Sequence, residues 1–591
     1  MPEEHHLTAR NLLEQMNRQF NECNALYHEL AVHYGVSDTV FWLLYSLYNS
    51  SEPQTQNRLC MEWNLPKQTM NSAVASMVKQ GLLELEPAPG RYSGKLLHLT
   101  PAGRELAAKT AKPVYSAEQA ALEQLGMAEA EHFVRLGQEH LNAIRTEFQR
   151  IQLSDHFTTS RILRFAASPI IMMVFTSIYS VVDGFFVSNF AGKQAFAAVN
   201  LIMPFLQAFG CIGFMLGTGG SALVAMTLGT GNKKRANELF SMLVCATAVL
   251  GVIFTVVALL VLRPAAVLLG ATAELLDDCI LYGTIITVFQ TAFMLQFLFQ
   301  SFFITAEKPK LGLFFTVAAG LTNMVLDFVF VGVMGLGITG AAAATVISQL
   351  IGGIGPMFYF ARPGNGSLLH FVRPVFSGKA LLKACTNGSS ELMTNLSASL
   401  VGALYNWQLL RLGGADGVAA YGVIMYVSFI FAAIFIGYAQ GCAPVVSYHY
   451  GADNTDELKN LLRISLRVIA VGGVAMLCFS ELLAAPLSRF FVGYDAELLE
   501  LTTLGMKLYS LSFLLCGFNI FGSAFFTALN NGIVSAVISF LRTLVFQVTA
   551  ILVLPHLLGM NGIWLSVVAA EIAALFVNAF FLVKNRKKYQ Y

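Results

Sequence analysis

The chain has 591 residues, of which 55% are hydrophobic and only 12% charged, and its mean hydropathy is +0.61. Soluble domains carry roughly 25% charged residues, so a wholly soluble protein is excluded and much of the chain must face lipid. The net charge of +2 averages two solvents and does not point to a partner.

Charge is concentrated near the start. Residues 1–150 hold 13 Lys+Arg and 17 Asp+Glu, which predicts a soluble domain, 1–155, ahead of a membrane domain. The opening MPEEHHLTARNLLEQ lacks the apolar h-region of a signal peptide, so this domain is expected in the cytosol. Residues 38–104 read as two helices, TQNRLCMEWNL and PKQTMNSAVASMVKQGLL, followed by a two-stranded wing, LELEPAPGRYSGKLLHLT. Pro66 suits a first helical turn, and Ala73, Val74, Met77 and Leu82 give that helix an apolar face. Its other face offers Lys67, Gln68, Thr69, Asn71, Ser72, Ser76 and Lys79, side chains able to touch phosphates and base edges. Pro89-Gly90 turns a wing that carries Arg91 and Lys95.

KQTMNSAVASMVKQGLL, GRYSGK and LTPAGREL resemble the MarR (multiple antibiotic resistance regulator) family of winged helix-turn-helix proteins over about residues 8–155. The resemblance implies a homodimer through helices at about 8–34 and 115–152. It also implies a recognition helix, 66–81, that would enter the major groove of duplex DNA, with Lys67, Gln68, Thr69, Asn71, Ser72, Arg91 and Lys95 as the contacting residues. Against DNA stands the domain's net negative charge, because such binding rests on phosphate neutralisation. A domain that only dimerises or senses a ligand stays open. Residues 153–160, LSDHFTTS, read as a short tether.

From Arg161 onward, apolar runs long enough to cross about 30 Å of hydrocarbon recur twelve times, at about 165–189, 196–228, 239–262, 279–304, 311–334, 338–361, 386–410, 417–447, 463–485, 501–528, 533–556 and 560–583. Lysines and arginines fall on alternate loops: Lys233, Lys234 and Arg235; Lys308 and Lys310; Arg373, Lys379 and Lys383; Lys459; and the tail Lys584, Arg586, Lys587 and Lys588. By the positive-inside rule those loops and both termini are expected on the cytoplasmic face of the plasma membrane.

GTGGSALVAMTLGTG matches GCAPVVSYHYGADN, FFITAEKP matches FFTALNNG, and MGLGITGAAAA matches LLGMNGIWLSV, each displaced by about 222 residues. Six helices are duplicated, with bundles at 161–361 and 386–585 joined by a cytoplasmic linker, 362–385. The expected fold is therefore an all-α membrane protein of twelve transmembrane helices in two six-helix repeats, preceded by a winged helix-turn-helix (α+β) domain. Two bundles about one axis along the membrane normal suit alternating access. Pro169, Pro204 and Pro444 are expected to interrupt crossings one, two and eight.

Intramembrane carboxylates are costly and therefore informative. Asp183, in YSVVDGFFVSN, sits about 9 Å below the outer end of crossing one at 1.5 Å per residue, and Asp327, in LTNMVLDFVFVG, occupies the matching place on crossing five. Asn323 lies one turn before Asp327, and Thr345 stands on crossing six at similar depth. Two carboxylates in one dry pocket cannot both ionise comfortably, so they hold a proton or share a cation. A second polar set, Glu391, Arg542 and Glu571, lies nearer the cytoplasmic side; it reads as an ion pair of Arg542 with one glutamate, or as a substrate or proton site at Glu391.

SIYSVVDGFFVSNFAGKQAFAAVNLIMPF, NMVLDFVFVGVMGLGITGAAAATVISQ and AFFTALNNGIVSAVISFLRTLVFQ resemble the multidrug and toxic compound extrusion (MATE) family over about residues 161–585. The resemblance implies an antiporter that exchanges a proton or Na+ for bulky, often cationic amphipathic compounds, with Asp183, Asn323, Asp327 and Thr345 as the coupling set. Crossing ten, LYSLSFLLCGFNIFGSAFFTAL, has no acid of the kind used by the branch that couples through the C-terminal half. Two alternatives remain: a membrane-anchored MarR-type regulator whose transporter half is a receptor, and a lipid or glycan flippase. An enzyme is not expected, since no nucleotide-binding loop, nucleophile arrangement or metal cluster appears, and no cofactor beyond the coupling ion is implied.

Overall fold

The computed structural model describes residues 9–50, 54–62, 67–87, 95–149, 151–362, 364 and 366–591, which form two compact units, 1–150 and 151–591. In the first unit, α1 (Ala9–His33), α2 (Asp38–Asn49), α3 (Gln56–Glu62), α4 (Lys67–Lys79), α5 (Pro101–Leu125) and α6 (Met127–Gln149) accompany strands β1 (Gln54–Thr55), β2 (Leu83–Pro87) and β3 (Lys95–Leu99). The strands make one antiparallel sheet in the order β1-β3-β2, the wing read from the sequence with one short strand added. Leu44, Leu59, Met70, Met77, Leu83 and Leu97 share a core, so the apolar face of α4 is what docks it on α2 and the sheet. Pro66 and the Pro89-Gly90 turn lie outside the described residues.

The long terminal helix expected at 115–152 is instead two helices that begin earlier. Thr100 caps α5 by accepting the Gly103 N–H at 3.0 Å, with Pro101 in the first turn. Gly126 ends it at φ 90°, a conformation that favours glycine.

In the second unit the helices are α7 (Thr159–Phe186), α8 (Lys193–Gly229), α9 (Lys233–Leu268), α10 (Ala273–Val288), α11 (Gln290–Thr305), α12 (Pro309–Asp327), α13 (Gly337–Ala361), α14 (Gly378–Gly451), α15 (Thr455–Val492), α16 (Ala496–Ser510), α17 (Phe513–Ala528), α18 (Gly532–Phe540), α19 (Gln547–Leu558) and α20 (Met560–Tyr589). Turns of π-helix extend α7 over Val187–Ala191 and α12 over Phe328–Val333, and join α18 to α19 over Leu541–Phe546. Among the described residues, nine helices are long and apolar enough to cross a membrane, and two bent pairs, α10–α11 and α16–α17, each serve as one more. At 74 residues α14 is far too long for one crossing, and it is divided at Gly414, whose backbone is not helical (φ 60°, ψ −147°). That division yields twelve crossings.

Pro169, Pro204 and Pro444 lie inside continuous helices and do not interrupt them. The sharp breaks fall where no proline stands, 56° between α10 and α11 and 47° between α16 and α17. At the first break the Thr287 carbonyl accepts the Thr255 hydroxyl at 3.1 Å, which satisfies a group the helix no longer bonds. The linker expected at 362–385 is shorter, because α14 already begins at Gly378. Its middle is pinned to α9, with the His370 N–H on Asn237 Oδ1 at 2.7 Å and the Val372 N–H on Ser241 Oγ at 3.0 Å.

The duplication is visible in the backbone. Gly231 and Asp453 take positive φ in equivalent turns, as do Glu307 and Asn530. The repeats meet where α8 crosses α14: a Cβ added at Gly229 would lie 2.0 Å from the Tyr448 carbonyl oxygen, and one at Gly451 2.0 Å from that of Met226. Gly219 against Ala384 and Gly388 against Met215 repeat the arrangement deeper in the bundle. Small residues let these backbones touch, and they close the end of the bundle that carries the Lys233–Arg235 turn.

Candidate functional site

Six helices of the first repeat converge on a cavity of about 240 Å³, lined by Asp183 from α7, Gln207 from α8, Tyr282 from α10, Gln296 from α11, Asn323 from α12, and Thr345 and Gln349 from α13, among others. The break between α10 and α11 shapes its wall, because Tyr282 and Ile286 lie before it and Phe293 and Gln296 after. Asp183 and Asp327 each precede a π-helical turn, a local widening that often marks a functional position.

The sequence-predicted set is brought together. Asp183 is half-buried, while Asn323 and Asp327 are buried, and Asp183 faces both of them closely enough to interact. Yet one Asp183 oxygen, both Asp327 oxygens and both polar atoms of the Asn323 amide are buried without a hydrogen-bond partner. Buried polar groups in native proteins are nearly always satisfied, and two carboxylates cannot satisfy each other without a proton or cation between them. Thr345 lies at the same cavity, its hydroxyl donating to the Ala341 carbonyl at 3.0 Å.

The second polar set divides. Arg542 and Glu571 form a bidentate pair, Nε and Nη2 each donating to Oε1 at 2.9 and 2.7 Å, and Asn519 Nδ2 adds a bond to Glu571 Oε2 at 2.7 Å. Glu391, on α14, has no ion-pair partner among the described residues; Cys211 and Arg542 lie within reach of its charge. In the first unit, Lys67, Gln68, Thr69, Asn71 and Ser72 are all exposed along one face of α4, and Lys95 is exposed at the start of β3. Arg91 lies outside the described residues.

Sequence reasoning missed Tyr282, Gln207, Gln296 and Gln349. The glutamines were discoverable as polar residues inside apolar runs. Tyr282 was not, because an aromatic in such a run signals nothing until the fold turns it toward Thr345.

The MatE family model matches residues 169–329 and again 392–552, more than half of the chain and in the same register of both repeats. The chain belongs to the MatE family. A MarR family model matches residues 34–91. The multidrug export protein MepA of Staphylococcus saprophyticus is 22% identical over 416 residues, covering 70% of this chain and 91% of that protein; MepA of Staphylococcus haemolyticus is 23% identical over 428 residues, covering 72% and 93%. Among solved structures, MATE in complex with MaL6 aligns with a TM-score of 0.70 at 21% identity, over 74% of this chain and 98% of that one. An outward-facing multidrug resistance MATE family transporter of the MOP superfamily gives 0.70 at 21%, over 75% and 98%. MatE members are transporters, so this chain is a multi-pass membrane transporter and not an enzyme, with a MarR-like domain ahead of it.

Proposed function

We propose that the chain is a cation-coupled antiporter of the cytoplasmic membrane that exports amphipathic, drug-like compounds, with Asp183, Asn323, Asp327 and Thr345 as its coupling site. The observation that carries this is the set of buried, unpartnered oxygens on Asp183, which lines the cavity, and on Asp327, which faces Asp183. A proton or a monovalent cation satisfies two facing carboxylates; among the described residues no three His, Cys, Asp or Glu side chains group as a divalent metal would want. The MepA likeness supports multidrug export, and the basic loops support cytoplasmic termini. Cation binding at the pocket would reshape α7 through its π-helical turn and expel the compound outward; release of the ion inward would reset the cycle. The bidentate pairing of Arg542 with Glu571 keeps that arginine from serving a lipid pyrophosphate, which favours an exporter over a flippase.

The MarR-like domain is proposed to dimerise and to touch DNA. In support, α1, α5 and α6 expose Phe20, Leu26, Leu125, Phe133 and Val134, apolar side chains that a dimer would cover.

The test is efflux of a fluorescent cation from vesicles under separately imposed proton and sodium gradients. The parent should respond to one of them, and Asp183→Asn and Asp327→Asn should each reduce efflux to background while the protein still inserts. Undiminished transport by either variant would refute the assignment.

A further inference from the structure

The stretch 153–160, which follows α6, was expected to be a short tether. It is instead built into the second unit. Leu153 and Phe157 are both 0% exposed, within a core that mixes Ile304 of the first repeat with residues of the second. Two buried glutamates hold its backbone, one from each repeat. Glu307, in the turn between α11 and α12, accepts the Leu153 N–H at 2.7 Å. Glu457, in the first turn of α15, accepts the Phe157 N–H at 2.9 Å and pairs with His156 Nδ1 at 2.6 Å. Asn460 closes the grip by donating to the Phe157 carbonyl at 2.8 Å. The Phe157 ring packs edge-on against Phe165 and His449.

All of this lies at the end where α8 and α14 cross at Gly229 and Gly451. For that end to open, the two helices must part, carrying the turn of Glu307 with one repeat and that of Glu457 with the other. A segment fastened to both cannot follow both. Nor does either bond release easily, because a buried carboxylate stripped of its donors is costly.

We infer that residues 151–158 form a latch across the two repeats, gripped by Glu307 and Glu457, which holds the cytoplasmic end shut and must let go of one glutamate each time that end opens. This rests on the exporter reading for the cycle itself. The chain leaves α6 at Gln149 and enters the latch at Ile151. Such a bistable contact is how a local event becomes a change between global states.

The test uses the full chain in lipid, with its native cysteines replaced and a single thiol introduced by Met226→Cys at the helix crossing. Labelling by a membrane-impermeant maleimide from the cytoplasmic side reports how often that end opens. Glu307→Gln with Glu457→Gln should raise the labelling rate about fivefold or more, each single change should raise it less, and Phe157→Ala, which leaves both carboxylates in place, should also raise it. An unchanged rate in the double variant and in Phe157→Ala, with both still cooperatively folded on heating, overturns the latch. If the double variant does not fold, the Phe157→Ala result decides alone. Labelling needs no ion gradient, so its failure leaves the exporter reading standing, and failure of ion-driven efflux leaves the latch standing.

Discussion

Arg542 and the Asp183–Asp327 pair show two ways to keep a charge inside a membrane. Arg542 is 17% exposed and Glu571 4%, and each neutralises the other. Removing one partner strands a buried charge at about 3–5 kcal/mol, whereas replacing both with apolar groups of similar size is often close to neutral. Arg542→Met should therefore lower the thermal unfolding midpoint in detergent sharply, and Arg542→Met with Glu571→Leu should regain most of the loss. Equal losses in single and double variants would mean that the pair does more than compensate itself. Among the described residues the two aspartates have no such partner, which is why they, and not Arg542, are proposed to hold an exchangeable ion. A residue-scale prediction also belongs to the first unit, where the Tyr27 and Tyr45 hydroxyls both donate to Glu118. Burial and that carboxylate push both tyrosines well above their ordinary value of 10.0. A raised value means that the folded unit holds protons the unfolded chain has lost, so stability falls as pH climbs past about 10. Amide exchange of α1 and α2 in the full chain should accelerate steeply there, and Tyr27→Phe with Tyr45→Phe should blunt the pH dependence. These residues also mark what was legible. Asp183 and Asp327 stood out because ionisable groups are rare in lipid, but the choice of Glu571 over Glu391 as the partner of Arg542 needed the relative rotation of α14, α20 and the π-helical turn Leu541–Phe546, which hydropathy does not encode.

At the scale of elements, crossings were readable because each needs about 20 apolar residues, and Gly414 falls between the runs expected at 386–410 and 417–447. Breaks were not. Proline marks only one route to a bend, and here the helices run on through Pro169, Pro204 and Pro444 while bending at Phe289, where Thr255 satisfies the freed carbonyl. The glycines of the crossing are an element-scale feature with a measurable consequence. At Gly451 an added Cβ would meet backbone on α8 at 2.0 Å, and backbone cannot step aside as a side chain can. Gly451→Ala must push the repeats apart at that end. Thiol labelling at position 226 from the cytoplasmic side should rise and drug efflux fall, whereas Gly402→Ala, where open space awaits a Cβ, should change neither.

For the whole molecule, the order of domains and the duplication were legible because both are differences in composition along the chain, charged then apolar, and one six-helix pattern written twice. The latch was not, since LSDHFTTS is short and polar enough to pass for a linker, and only its buried Leu153 and Phe157 distinguish it. What the MarR-like domain does at the membrane turns on charge. The domain is net negative, yet α4 and the start of β3 expose Lys67, Lys79 and Lys95 together with Gln68, Thr69, Asn71 and Ser72, a narrow positive strip on an acidic body. If that strip meets duplex DNA, few phosphates are neutralised, and each contributes about 0.9 to the slope of log affinity against log salt. The full chain in detergent should then bind DNA with a shallow slope of about −3, roughly one per exposed lysine. Lys67→Ala should flatten that slope by about 1 while weakening all sequences alike, and Asn71→Ala should leave the slope untouched while relaxing the preference at one base pair. A slope near zero, or identical binding by the parent and Lys67→Ala, would leave the domain to dimerise or to sense a ligand.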